Sequence, residues 1–273
     1  MERFAVLTSS SGVSEDVAAH VATSLNGDPK RLNENAVEVA FSGDPALIEL
    51  DGIDLNYISA QNRTKSLLIA DMDSTIITVE CIDELADFAG KKAEVSDITE
   101  RAMRGELDFE EALDERVSML TGVTSEDIQT CFEQRVELSP GSVDLIKAMN
   151  QRGMTALVSG GFTVFTDKVS EQVGFQFSHA NTLLFEGDKL SGKVGRPIVT
   201  SSTKLEVLTK LLAERDLDFS DAIAVGDGAN DAPMVKAAGL GVAYKAKPAL
   251  KEVADASLDH SDLTAILALQ GIA

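Results

Sequence analysis

Asp71 and Asp73 close the short apolar run Leu67-Leu68-Ile69-Ala70-Asp71-Met72-Asp73-Ser74-Thr75. If that run is a strand and the strand continues, its period of two projects both carboxylates to the same side. Two acids so placed repel each other, which is costly unless a cation or a proton is shared between them. A second pair, Asp216-Leu217-Asp218, follows a helical pattern and is expected to be exposed. Context separates the two pairs, because ligands of open α/β sheets collect at the carboxyl ends of strands.

Three further clusters follow, two of them after apolar runs of the same kind. Ser159-Gly160-Gly161-Phe162 comes after the run 155–158 and leads into a helical stripe of Phe162, Phe165, Val169 and Val173, with Gly174 as a stop. Small residues between a strand and a helix N-terminus suit an anion cradled on backbone N–H groups, although a plain tight turn fits the same residues. Gly226-Asp227-Gly228-Ala229-Asn230-Asp231 comes after the run 222–225, with Asp227 at a strand end and Asp231 in the loop. A turn accounts for Gly, Asn and Asp. It does not account for carboxylates gathered at two strand ends, whereas a hard divalent cation does, and Mg²⁺ binds through a few carboxylates, water and substrate phosphate. His20, His179 and His260 are scattered, which argues against a histidine zinc site. Finally, Thr203-Lys204-Leu205-Glu206 reads as a capping box with Thr203 as N-cap, placing Lys204 in the first helical turn. A cation there opposes the helix dipole, so Lys204 is either a plain exposed lysine or the partner of a phosphate.

The elements that must hold these residues are legible as well. Apolar runs at 67–70, 155–158, 222–225 and 239–243 alternate with helical patterns, as in a Rossmann-like parallel α/β sheet buried by helices on both faces. Between the first two runs the pattern is helical, so residues from about 77–138 are expected to form a helical cap inserted after the first core strand. Residues 66–273 would be the core with this cap, and 1–65 a small N-terminal α/β appendage with its linker. In the appendage, Phe4-Ala5-Val6-Leu7 and residues 36–41 read as strands and 14–25 as a helix. The polar tract 54–65 reads as the linker. No motif for chemistry stands out there; the segment could join two chains in a homodimer, sense a metabolite or brace the core.

Composition narrows the function classes. With 45 acidic against 24 basic residues the net charge is −21, a field that repels nucleic acid and anionic membranes. A small anionic substrate stays open if the site carries its own cations. Cys81 and Cys131 are the only cysteines, which suits a reducing compartment. There is no signal-peptide core and no apolar stretch of membrane-spanning length, so the cytoplasm is the expectation.

Taken in order, Asp71-x-Asp73-Ser74-Thr75, Ser159-Gly160, Lys204 and Gly226-Asp227-Gly228-x-Asn230-Asp231 resemble the four motifs of the haloacid dehalogenase superfamily phosphatases. Within it the chain is most similar to the phosphoserine phosphatases. The stretches 80–85 and 103–109 resemble that family's cap. The resemblance implies O-phosphoserine as substrate, Mg²⁺ as cofactor and a place at the end of serine biosynthesis. It also implies an aspartyl-phosphate on Asp71 and an acid–base role for Asp73. Asp71, the Asp73 backbone carbonyl and Asp227 would be the metal ligands, and Ser159, Gly160, Lys204 and Asn230 the phosphate contacts, with Asp231 in support. Glu80 matches the family's ligand for the substrate ammonium.

One cap residue also carries a signal of its own. Phe109, Ala112, Leu113, Val117 and Leu120 form one helical stripe, and Arg116 falls near its middle. A buried ion pair would explain that; so would a guanidinium facing a cavity to grip a substrate carboxylate, the reading the resemblance favours. Phe109 and Met103 could line the same pocket or serve the core. Two same-superfamily alternatives remain, a phosphotransferase and a phosphatase for another small phosphomonoester. A phospho-accepting signalling receiver is the non-enzymatic one.

Overall fold

The computed structural model describes residues 2–103 and 106–273. Of the 103–109 stretch, Arg104, Gly105 and the Met103 side chain lie outside the described residues.

The chain begins with β1 (Glu2–Thr8), α1 (Glu15–Leu25), β2 (Asp28–Asn33), β3 (Ala36–Ser42) and β4 (Asp54–Ser59). The strands pair antiparallel in the order β2-β3-β1-β4. Ala5, Leu7, Val37 and Val39 turn to one face and pack on Val21 and Leu25 of α1. Val6, Ala36 and Ile58 join the apolar cluster of the following core. This sheet is therefore covered on both sides.

β4 corrects the reading of 54–65 as a linker. Its Asp54 and Asn56 are polar yet buried, because each has a fixed partner near the chain's far end. Asn56 Oδ1 accepts from Ser257 N at 2.8 Å and its Nδ2 donates to Ser257 O at 3.0 Å. Asp54 accepts from the N–H groups of Asp259 and His260 and from Ser261 Oγ. Buried polar groups persist when hydrogen-bonded, so a polar composition here concealed a strand.

The core opens with β5 (Leu67–Ala70) and continues with α2 (Cys81–Phe88), α3 (Lys92–Met103), α4 (Phe109–Ser118), α5 (Ser125–Arg135) and α6 (Ser142–Asn150). Then come β6 (Met154–Phe162), α7 (Thr163–Val173), β7 (Phe177–Asn181), the hairpin β8 (Leu183–Glu186) and β9 (Lys189–Val194), and α8 (Ser201–Ala213). β10 (Ala222–Gly226), α9 (Ala232–Ala237), β11 (Leu240–Tyr244), α10 (Pro248–Lys251), β12 (Ala256–Leu258) and α11 (Ala265–Leu269) complete it.

Among the described residues the central sheet is parallel, in the order β12-β11-β10-β5-β6-β7. Its register explains the unbroken apolar runs. Leu67 and Ile69, beside Met154, Ala156, Ala222 and Ala224, face the cluster containing Leu208, Leu211 and Met234. Leu68 and Ala70, beside Leu157, Ile223 and Val225, face the cluster containing Ile146, Phe165 and Val169. Both faces are thus sealed by helices, and strand ends become the accessible part of the sheet.

Helices α2 to α5 lie between β5 and β6. The chain leaves and returns at one point, where Ile77 bridges Leu138 and Thr78 N donates to Glu137 O at 3.0 Å. The hairpin β8–β9 anchors this cap from the side: Gly122 N donates to Leu190 O at 2.9 Å and Leu190 N to Val123 O at 2.8 Å. Among the described residues, no helix is long and apolar enough to cross a membrane.

Candidate active site

β5 ends at Ala70, and the chain turns at once into a short kinked helical turn over Met72–Ile76, with Asp71 as its N-cap. The two aspartates are therefore not strand neighbours. Ser74, at φ 54° in the left-handed region, breaks the turn and re-aims the backbone. Asp71 Oδ1 accepts from Met72 N and lies 2.8 Å from Lys204 Nζ, while its Oδ2 is 3.4 Å from Asn230 Nδ2. Asp73 Oδ1 accepts from Cys81 N at 2.9 Å, and its Oδ2 lies 3.4 Å from Ser159 Oγ.

Ser159, Gly160 and Gly161 are not in a tight turn. β6 runs through them to Phe162, with a register irregularity against β7, and α7 starts at Thr163. Phe162 thus belongs to the strand end rather than to the helical stripe. A Cβ on Gly161 would stand 2.6 Å from Asp73 Oδ2, so only glycine lets the strand pass so close.

Lys204 required a correction as well. The N-cap of α8 is Thr200, which forms its capping box with Thr203, so Lys204 lies beyond the first three helical positions. Two threonines three apart offered the same local signature, and the earlier one wins. Lys204 is only 1% exposed, and its Nζ is 2.6 Å from Asp231 Oδ1 as well as 2.8 Å from Asp71. Burial alone would lower this ammonium, but the carboxylates of Asp231 and Asp71 outweigh it and hold it above its usual range.

Asp227 follows the end of β10, and Asp231 folds back beneath it. Asp231 Oδ2 accepts from Asp227 N and Gly228 N, both at 3.2 Å. A Cβ on Gly226 would stand 2.3 Å from that same oxygen. Burial, then the nearby charges of Asp71, Asp231 and Glu80, push Asp227 up to about 8. Burial and Glu80 likewise push Asp73 up to about 8, against the opposing hydrogen bond from Cys81 N. Glu80 is also raised by burial; its carboxylate accepts from Ser74 Oγ at 2.7 Å. The centre is short of positive charge.

Asp71, Asp73, Glu80, Arg116, Ser159, Gly160, Asp227 and Asn230 all line one cavity of about 130 Å³, together with Phe109. Lys204 and Asp231 stand behind its floor. Arg116 is 7% exposed, and its Nε and Nη1 donate to Ala112 O and Thr99 Oγ1, both at 3.1 Å. Among the described residues it has no carboxylate within ion-pair distance, which removes the buried ion pair as its explanation. The exposed Asp216-Leu217-Asp218 pair lies away from the cavity, at the turn before β10. Cys81 and Cys131 are buried free thiols.

Two positioning residues escaped the sequence reading. Thr99 fixes the Arg116 guanidinium, and Asn181 at the end of β7 donates to Gly160 O while accepting from Val199 N, both at 2.8 Å. A buried Asn ending a strand is a faint signal; the partners of both become visible only in the fold.

Asp71, Asp227 and Asp231 each offer a carboxylate oxygen, and these lie within 4.8 Å of one another. Such an all-oxygen, buried and mutually repelling set fits a hard divalent cation. A Rossmann-like sheet, a helical cap and a lysine-held aspartate after β5 make a capped α/β fold with its polar site at the strand ends. In agreement, residues 65–239 match the family model of haloacid dehalogenase-like hydrolases, and the chain belongs to that family. It is 41% identical over 209 residues to a phosphoserine phosphatase of Archaeoglobus fulgidus, a match covering 76% of this chain and 60% of that protein. The chain thus spans less than two thirds of that relative. A phospho-aspartyl intermediate analogue of phosphoserine phosphatase superposes with a TM-score of 0.71 at 39% identity, covering 77% of this chain and all of the other. A HAD family hydrolase of Salmonella enterica serovar Typhi matches 98% of both chains, with a TM-score of 0.86 and 25% identity.

Proposed function

We propose that the protein is a Mg²⁺-dependent phosphatase that hydrolyses O-phospho-L-serine to L-serine and phosphate. The observation that carries this reading is one cavity lined both by Asp71, whose carboxylate is held from behind by Lys204, and by the guanidinium of Arg116, which has no carboxylate partner among the described residues. The first end suits a phosphoryl group; the second suits the carboxylate of an amino acid, with Glu80 placed for its ammonium. The names of the relatives agree with both.

Asp71 attacks phosphorus in line, forming an aspartyl-phosphate as the bond to the serine oxygen breaks. Asp73 gives that oxygen a proton, then takes one from the water that attacks the aspartyl-phosphate, and phosphate leaves with Asp71 restored. Lys204, Ser159, Asn230 and the N–H groups near Gly160 offset charge on the transferring group. Asp231, with both oxygens already engaged, orients Lys204 and the 227–228 backbone. The carboxylates of Asp71 and Asp227, with the Asp73 carbonyl, would hold Mg²⁺, which would supply further positive charge to offset that of the transferring group. The division into an appendage at 1–65 and a capped core at 66–273 belongs to this reading, with all the named site residues in the second.

The direct test is phosphate release from L-phosphoserine, phosphothreonine and an aryl phosphate, each with and without Mg²⁺. Phosphoserine should be preferred and Mg²⁺ required; equal rates on all three would remove the substrate assignment.

A further inference from the structure

The cap helix α4 presents two sides. Phe109, Leu113 and Arg116 line the cavity, whereas Glu110 and Asp114, one turn apart, meet a core residue. That residue is Arg196, in the loop after β9. Its Nη1 is 3.5 Å from Glu110 Oε2, and its Nη2 contacts Asp114 Oδ2. The three side chains are about half exposed, so on strength alone this is an ordinary surface cluster.

Its location gives it a different weight. The C-terminal end of α4 is already seated on β9, since a Cβ on Gly192 would stand 2.1 Å from Thr121 Oγ1 and 3.3 Å from Ser118 O. Arg196 holds the opposite, N-terminal half of α4, the half that brings Phe109 over Gly160. The loop it belongs to continues into Val199, which Asn181 ties to Gly160, and then into α8 with Lys204. One guanidinium thus links the helix bearing Arg116 to the elements bearing Gly160 and Lys204.

We infer that Arg196 is a positioning residue: an ionic strap from the core to α4 that sets how closely Arg116 approaches a substrate seated on Asp71. The inference rests on the carboxylate-binding reading of Arg116. It predicts a selective effect, because a substrate without a carboxylate makes no use of the Arg116 guanidinium that the strap positions. A lost surface pair changes a closing equilibrium by about five-fold at most, so the effect falls on KM for phosphoserine more than on kcat.

The test compares wild type, Arg196→Asp, and Arg196→Asp combined with Asp114→Arg, which reverses the pair. Amide hydrogen exchange in residues 109–118 should quicken in the single variant and return toward wild type in the reversed pair. KM for phosphoserine should rise about three- to five-fold and recover in the same order, with KM for an aryl phosphate steady within about two-fold. Unchanged exchange in α4, or a KM shift equal for both substrates and not recovered by reversal, overturns the strap. Arg116→Leu is run alongside. If it affects both substrates equally, the carboxylate reading fails, while the exchange measurement still decides whether Arg196 holds α4.

Discussion

Lys204 Nζ lies between Asp71 Oδ1 at 2.8 Å and Asp231 Oδ1 at 2.6 Å, with all three side chains almost wholly out of solvent. Removing the ammonium leaves two buried carboxylates facing one another. Lys204→Met should therefore cost about 3–5 kcal/mol of folding stability as well as activity. Urea unfolding measures the first, and phosphate release the second. A stable but inactive variant would mean that the pair relaxes by taking up a proton or a cation.

Arg116 tests substrate choice. If Arg116 grips the substrate carboxylate through two charge-assisted hydrogen bonds, Arg116→Leu should lower kcat/KM for phosphoserine about 100-fold. Turnover of an aryl phosphate under the same conditions should change far less. Parallel losses would make the guanidinium a structural group held for Thr99 and Ala112.

Gly161 offers a steric test. A methyl group would reach 2.6 Å from Asp73 Oδ2 and 3.1 Å from Ser159 Oγ. Gly161→Ala should displace the Asp73 carboxylate and lower kcat at least about 10-fold, with only about 1–3 kcal/mol lost in stability. Wild-type kcat in this variant would show that Asp73 does not need its present position.

Chelation probes the acidic cluster without turnover. A cation held by Asp71 and Asp227 would stabilise the folded chain, by about 2.7 kcal/mol at a hundred-fold excess over Kd. Mg²⁺ should raise Tm, EDTA should reverse the rise, and Asp227→Ala should abolish it. An equal rise in that variant would place the cation elsewhere.

Glu38 supplies a pH dependence remote from the site. Burial raises its carboxyl, but hydrogen bonds from Arg63 and Lys30 outweigh burial and hold it below the ordinary 4.5. Because the folded value is the lower one, its stabilisation is complete above the unfolded value and disappears as pH falls through the folded one. As pH falls below the ordinary carboxyl value, the wild type should lose more unfolding free energy than Glu38→Gln. Parallel pH curves would show that the Arg63 contact adds nothing.

Legibility from sequence followed the range of the interactions. The runs at β5, β6, β10 and β11 were readable because burial on both faces leaves a local signature. β7, whose residues range from buried to exposed, left none, and β4 was hidden by polar residues satisfied across the fold. At the site, motif spacing located Asp71, Ser159 and Asp227. Burial of Lys204, and the cap that fixes its helix, depended on a choice between Thr200 and Thr203 that local pattern cannot make. Arg116 stood out because a charge in an apolar stripe is locally anomalous, whereas its partner Thr99 lies on another helix and gave no signal.

The joint between β4 and the 257–261 segment also bears on how the chain is made. Asn56 waits for Ser257 across 201 residues and Asp54 for Ser261 across 207. At ordinary elongation rates that interval is about 10–40 s. A sheet formed in that interval would present β4 as an open edge, the kind of surface that recruits other strands. An apolar edge would be hazardous in that interval, whereas Asp54 and Asn56 can be hydrated until their partners emerge. The polarity that hid this strand in the sequence would keep it hydrated until those partners are made.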